Sequence, residues 1–492
     1  MQPQNFKKIE RAGDFNLVPI INLIPYTPDS SGSQNRPDTL NILPLVLEIK
    51  IYEDILKPFL SGVMTVADAT NIFHTTPISG FERLEFQVMT PNIENNYDFT
   101  IETGHPLHIY SIENRKQISQ SAQAYNIHFC SQEMIKNRTN FVSETVHNNS
   151  ENIVAKMLHQ HMGSKKKLLY DTTFSRNKFV LPFANPLTHI QHISKKTQSF
   201  HHKSGRYLFF ENINGFNFRS MQSLMTTNQK NPRNPIHGLV YRPSVPHLRQ
   251  GGDEILTREL QIISEYEVIK QFDTLRRLNH GVFCSELVTH DMLGKTFTTK
   301  SFNYRKEFEL NGKLDNNSVL PDFPYIGEAG FEHLPSKRYF RSNTKDIFEP
   351  ITQQRSEGST AINLLSRGST TNPISTPDED DMVQSDGSKD GLLFDDFMLR
   401  ITVPGYLGVF AGAVVGVEIP KLTDASELDE QLSGLYLVRS VEHILSMEGK
   451  GTHVMVLNLV KDSFRTSFPK TDANTFDQTE VFEASINDMS DI

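Results

Sequence analysis

Leu45-Val46-Leu47-Glu48-Ile49-Lys50-Ile51 places an apolar side chain at every odd position, the period of a strand that buries one face and wets the other. The same beat returns at Leu84, Phe86 and Val88, at Leu107 and Ile109, and at Tyr125, Ile127 and Phe129. Turn residues such as Ser79-Gly80 and Gly104-His105-Pro106 separate the runs. Residues 1–140 are therefore expected to form one antiparallel sheet or barrel, with Leu45, Leu47, Ile49 and Ile51 on its buried face.

The pattern changes near Asn140. Ser150 is placed to cap a helix carrying Ile153, Val154, Met157, Leu158 and His161, with Gly163 as its stop. Asn185 and Pro186 open a second helix, with Leu187, Ile190 and Ile193 on one face. Tyr207 to Phe210 and Phe216 to Phe218, joined around Asn214-Gly215, read as a hairpin. Residues 141–255 thus read as a mixed helix and strand insertion.

A third helix is expected from Ser264, which forms a capping box with Glu267, through Val268, Ile269, Phe272 and Leu275 to His280-Gly281. Val282 to His290 and Thr296 to Tyr304 flank Leu293-Gly294 as a hairpin. Period two resumes at Phe397, Leu399, Ile401 and Val403 and continues to Leu459. A second β unit is therefore split between 256–308 and 397–466. Between them lies a loop-rich insertion, 309–396, whose stretch 352–389 is too poor in apolar residues to repay ordering. Residues 467–492 form an acidic tail: Asp472, Asp477, Glu480, Glu483, Asp488 and Asp491 stand against Lys470.

The chain has 492 residues, 49 Lys and Arg against 58 Asp and Glu, and a net charge of −9. That length allows several cores, and the charge advertises neither a nucleic acid nor an anionic membrane. Cys130 and Cys284 are the whole thiol inventory, too few for a disulfide framework or a four-thiolate zinc site. Met1 to Gly13 lacks the apolar core of a secretory signal, and the longest apolar run, 406–420, falls short of the ~18 residues that cross a bilayer. A cytoplasmic product is expected. Trp is absent, which weakens a sugar-binding reading.

Residues 156–206 carry ten basic side chains against Asp171 alone. Lys165, Lys166, Lys167, Arg176, Lys178, Lys195 and Lys196 are its basic surface candidates, readable as a docking face for an acidic partner or as a solvated face. His189 and His192 have the i, i+3 spacing of paired metal ligands, but carboxylates and thiols to complete a set are scarce. Asp378-Glu379-Asp380-Asp381 sits in the low-complexity stretch with no scaffold. Nucleophile elbows, zinc helices and phosphate loops are missing from the sequence, so no catalytic residue, metal or cofactor is assigned and the chain is read as a non-enzyme.

The order of features resembles the baseplate hub proteins of contractile-tailed bacteriophages, a group related to the hub portion of type VI secretion spike proteins. Four stretches carry it: Ser61 to Ala69 with Gly80 to Leu84; Phe129 to Glu133 with the helix from Ser150 and Phe183 to Pro186; Tyr207 to Phe216; and Gly281 to Tyr304, matched later by Pro404-Gly405-Tyr406, Ala411-Gly412, Val417 to Pro420 and Ser433 to Val438. The resemblance implies an α+β, β-rich chain with two tail-tube-like antiparallel β-barrel domains and a helix/strand insertion domain. It implies a structural virion protein, a homotrimer adapting the hexameric tail tube to the trimeric cell-puncturing spike, nucleating tail assembly and serving genome ejection. The implied partners are the spike, the tail tube initiator, wedge proteins and a tape measure protein, without membrane. The implied location is the tail baseplate, after assembly in the host cytoplasm. Phe476, Val481 and Phe482 of the acidic tail are candidates for spike binding through extended contacts. Competing readings are a hub of a phage-like injection or secretion system, and a baseplate-associated cell-wall hydrolase, which would need a cleft with paired carboxylates.

Overall fold

The structure is a computed structural model. It describes residues 16–17, 21–24, 40–70, 78–89, 97–100, 103, 105–173, 176–195, 197, 199–200, 207–226, 236–243, 259–291, 296–304, 313–318, 325–326, 329–330, 335–343, 397–421, 427–447 and 451–466. The low-complexity stretch, the Asp378 to Asp381 run and the acidic tail lie outside the described residues.

Strands β1 (Val46–Asp54), β2 (Ser61–Asp68), β3 (Leu107–Gln117) and β4 (Gln123–Ser131) form the antiparallel order β1-β2-β4-β3. Their inward residues Ile49, Ile51, Met64, Val66, Leu107, Ile109, Tyr125, Ile127 and Phe129 make the first core. One expected face is corrected. A register shift between Val46 and Glu48 moves the phase by one residue, so Val46 is buried and Leu47 is 38% exposed. Gly62 is required on β2, because a Cβ there would stand 2.2 Å from the Phe129 ring and 2.4 Å from the Lys50 carbonyl.

The insertion begins with α1 (Gln132–Thr139) and β5 (Val142–Asn149). Helix α2 (Ser150–Lys156) runs on into a π-helical turn over Met157–His161. Asn149, one residue earlier than expected, is the cap, and Gly163 ends the segment with φ +61°. Strand β6 (Arg176–Ala184) pairs with β5, and α3 (Pro186–Ser194) starts at Asn185-Pro186 as read. The hairpin β7 (Tyr207–Asn212) and β8 (Gly215–Ser220) turns at Gly215, φ +115°, where the Lys167 carbonyl would lie 2.6 Å from any Cβ. These elements close a third core around Met157, Leu158, Ile190, Phe216 and Phe218.

The expected helix from Ser264 is corrected. Residues Glu265–Lys270 are a strand, β10, pairing with β13 (Met398–Pro404), and only α4 (Thr274–His280) is helical. Tyr266, Val268 and Ile269 suit a pleated surface, and pairing overrides the capping-box spacing. Asp273 caps the helix, accepting from the Arg276 amide at 2.9 Å, and Gly281 ends it with φ +70°. The hairpin after it is present as β11 (Cys284–Asp291) with β12 (Thr296–Asn303).

Strands β14 (Val414–Val417), β15 (Gly434–Ser446) and β16 (Thr452–Val460) complete the second β unit. Its core gathers Ile263, Val282, Phe283 and Tyr304 with Leu399, Ile401, Tyr436, Leu457 and Leu459, so both parts of the split unit share one interior. Tyr241, on β9 (Ile236–Pro243) within the stretch read as insertion, joins it by pairing with β14.

The two β units are fused. On one edge of β15, Gly434 to Leu437 pair with β14 and Ser440 to Ser446 pair with β1. Among the described residues this makes one 14-stranded sheet. The sheet branches at β15, from which β16, β13 and β10 follow in turn, so the two units share strands and are not two separate closed barrels. The chain is β-rich with a helix-bearing insertion.

Candidate functional site

The period-two phase that buries Ile49 and Ile51 also buries Glu53, at 1% exposure. Its Oε1 accepts the Tyr97 hydroxyl at 2.5 Å and the Ile213 amide at 2.6 Å, and its Oε2 accepts the Ala411 amide at 2.9 Å. One carboxylate thus gathers donors from the first β unit, the β7–β8 turn and the second β unit. Burial pushes Glu53 up to about 7 against the pull of these hydrogen bonds. Asn212 Nδ2 donates to the Ala411 carbonyl at 3.0 Å, and the Ile55 amide to the Arg439 carbonyl at 3.0 Å. A fourth apolar cluster backs this joint: Ile55 just after β1, Leu208 and Phe210 from β7, and Ala411, Val414, Leu437 and Val460 from the second unit.

A second buried polar group ties the first unit to the insertion. Lys166 Nζ lies 2.6 Å from Glu211 and 3.0 Å from Glu133. Glu211 also accepts the Ser131 hydroxyl at 2.5 Å and the Leu60 amide at 2.9 Å, while Ser164 donates to Glu133 at 2.6 Å. Burial pulls the Lys166 ammonium down, but the Glu211 and Glu133 carboxylates outweigh it and hold the group above its ordinary value. In turn burial raises Glu133 and Lys166 more than reverses it, leaving that carboxyl low.

On the fused strands, His443 Nδ1 and His453 Nε2 are 3.1 Å apart and buried. Burial depresses both rings, His453 to about 3. Gly405 is held against that ring, with only 2.0 Å to a would-be Cβ. In the second core Lys461 Nζ sits 4.6, 4.8 and 4.5 Å from the ring centroids of Phe397, Tyr436 and Phe464 and donates to the Gln431 carbonyl. Burial takes it down to about 7. All these ionisable groups are sealed in protein and occupied by protein partners, an arrangement that fixes units relative to one another.

Of the basic candidates, Lys165, Lys167 and Lys195 are exposed. Lys166 is corrected: it is 7% exposed and belongs to the buried pair of carboxylates, not to a surface. Arg176 and Lys178 lie on β6, and Lys196 is outside the described residues. His189 is buried with Nε2 3.1 Å from the Val142 carbonyl, whereas His192 is exposed and edge-on to Phe179. The structure therefore does not bring the two imidazoles to one ligand. No group of three metal-ligating residues occurs among the described residues, and no helix there is long and apolar enough to cross a membrane. Cys130 and Cys284 are buried free thiols, both raised by burial. Phe476, Val481 and Phe482 fall outside the described residues.

Sequence reasoning missed Glu53, Tyr97, Glu133, Glu211 and the burial of Lys166. For Glu53 the signal was present, since it continues the Ile49, Ile51 face.

No family profile matches the chain, and no curated protein matches it. Solved structures of similar course include a tail protein from Neisseria meningitidis MC58, 10% identical over 90% of this chain and 96% of that chain, TM-score 0.48. The 43 kDa tail protein of prophage MuSo2 from Shewanella oneidensis is 10% identical over 90% and 99%, TM-score 0.43. An E. coli component of the type VI secretion system, described as similar to bacteriophage T4 tail proteins, is 8% identical over 87% and 76%, TM-score 0.35.

Proposed function

We propose that the chain is a structural baseplate hub of a phage-type contractile tail. Three copies close into a ring that presents six tube-like β units to a hexameric tail tube and threefold symmetry to a trimeric spike. One observation supports this reading above the others: two β units lie side by side in one polypeptide, fused through β1 and β15 and pinned by Glu53. A tandem held rigidly gives each subunit two equivalent contact positions, and closure by rotation covers open sheet edges that would otherwise promote aggregation. The two units as tube-like domains, the trimer and the nucleation of tail assembly all belong to this proposal.

The proposed role is non-enzymatic. Glu133 and Glu211 flank Lys166 in the interior and leave no open cleft between them, whereas glycoside hydrolysis needs an acid and a second carboxylate facing substrate. Light scattering of the purified chain, with symmetry averaging of particle images, tests the reading. A trimer with a threefold ring is expected. A chain that stays monomeric at micromolar concentration, with tube and spike proteins present, overturns it, and clearing of cell-wall substrate in a zymogram overturns the non-enzymatic role.

A further inference from the structure

An open groove of about 560 Å3 runs along the insertion between β5 and the helix that follows it. On the strand side it is lined by Thr145, Val146, His147 and Asn148. Side chains of successive strand residues point to opposite faces, so what four consecutive residues share along one groove is their main-chain edge. That edge is the outer one: among the described residues β5 pairs with β6 alone, Thr145 standing opposite Val180 and Asn148 opposite Asn177. The other wall is a single helical stripe, Asn152, Lys156, His159 and Gln160, at the i, i+4, i+7 and i+8 spacing of one helix face. Val146 and Ile153, both buried in the third core, form the floor. The stripe ends in the π-helical turn Met157–His161, a feature that recurs at functional sites.

The chemistry of the walls narrows the occupant. Lys156 Nζ is 2.5 Å from Glu144, which also lies 3.5 Å from His161, so the ammonium charge is spent within the protein. His159 Nδ1 is 2.9 Å from the Ser164 carbonyl; a carbonyl only accepts, so Nδ1 carries the proton and the neutral ring keeps Nε2 as an acceptor. Asn152 and Gln160 add amide donors and acceptors. Phe and Tyr are absent from the lining, which leaves a nucleic-acid base without a stacking platform. A strand edge beside a helix suits a peptide: main-chain hydrogen bonds hold the guest and its alternate side chains meet the walls. We propose that this groove takes an extended peptide of another protein, which adds to β5 as a third strand and turns hydroxyl or amide side chains toward Asn152, His159 and Gln160. Four strand residues span about 13 Å, so a guest of about six residues fills the groove. The guest also covers an edge otherwise open to unselective pairing.

The probe is a fluorescent peptide of about six residues that alternates threonine and valine, added to the full chain. Its anisotropy is expected to rise on binding, and hydrogen exchange of amides within Thr145 to Asn148 to slow in the complex. Methylating alternate amide nitrogens of the peptide should weaken binding about tenfold for each main-chain bond lost. A peptide with glutamate in place of threonine should bind more weakly. Asn152→Trp, at an exposed position, plugs the groove and should abolish binding at unchanged Tm. Unslowed exchange at β5, equal binding of the methylated peptide, or unchanged binding to Asn152→Trp each overturns the proposal. So does tighter binding of the glutamate peptide, which would assign the groove to charge instead of strand addition. Each readout is the same for a monomer and for a ring, so it stands apart from the hub reading.

Discussion

Glu53 and Lys166 are single side chains on which separate parts of the chain converge, and each makes a distinct prediction. Glu53 is raised in the folded state from 4.5 to about 7, so the fold favours its protonated form. Its contribution is fully present below pH 4.5 and is lost as the pH rises through 7, a difference of about 3 kcal/mol. Urea unfolding of the parent and Glu53→Gln across pH 4.5 to 8 should show this slope in the parent alone; equal slopes would refute it. Lys166→Met leaves two buried carboxylates without their cation and is expected to destabilise by about 3–5 kcal/mol. Adding Glu133→Gln and Glu211→Met should recover most of that loss, as measured by the denaturation midpoint. The alternation Ile49, Ile51, Glu53 made the burial of Glu53 readable from its own strand. Its partner Ala411, 358 residues away, was not readable, because nothing local records which distant amide meets a buried carboxylate. Lys166 was hidden for the opposite reason: two lysines flank it, and composition alone reads all three as surface.

At the level of elements, strands with strict alternation and helices opened by Asn-Pro or closed by Gly were legible, because the determinants lie within a few residues. The π-helical turn at Met157–His161 and the register shift at Val46 were not, since both answer to packing against other elements. Residues 264–270 show how the misreading arises: Ser264 and Glu267 have capping-box spacing, yet the Ser264 amide donates to the Thr402 carbonyl at 2.8 Å and Tyr266 pairs with Ile401. The edge partner that decides the matter lies 135 residues downstream in the numbering. The seam between β15 and β1 gives a further prediction. Glu442 stands opposite both Tyr52 and Val456, so Glu442→Pro removes a central donor and should cost about 3 kcal/mol or more. Limited proteolysis should then release the two β units as separate fragments, while cleavage of the parent at the seam should remain absent.

For the molecule as a whole, two β units parted by a helical insertion were visible in the order of periodicities. Their fusion into one sheet was not, because β1 and β15 are separated by nearly the whole chain. The fusion sharpens the expectation for assembly. If subunits meet as rigid tandems, trimer mass should be retained over a wide dilution range, and Phe210→Ala, which hollows the fourth core at the joint, should loosen the ring before it melts the second core. Sedimentation at falling concentration measures this; a variant ring as dilution-resistant as the parent would count against joint rigidity as the basis of closure.

The seam has a mechanical corollary. From Ser440 opposite Asp54 to Ser446 opposite Glu48 the two strands run antiparallel with their hydrogen bonds crosswise to the strand axis. A pull along that axis loads every rung at once, in shear, instead of unzipping them one after another. Rupture under force is governed by the unfolding rate, so a tug exerted through this ladder meets a clasp whose failure must be collective.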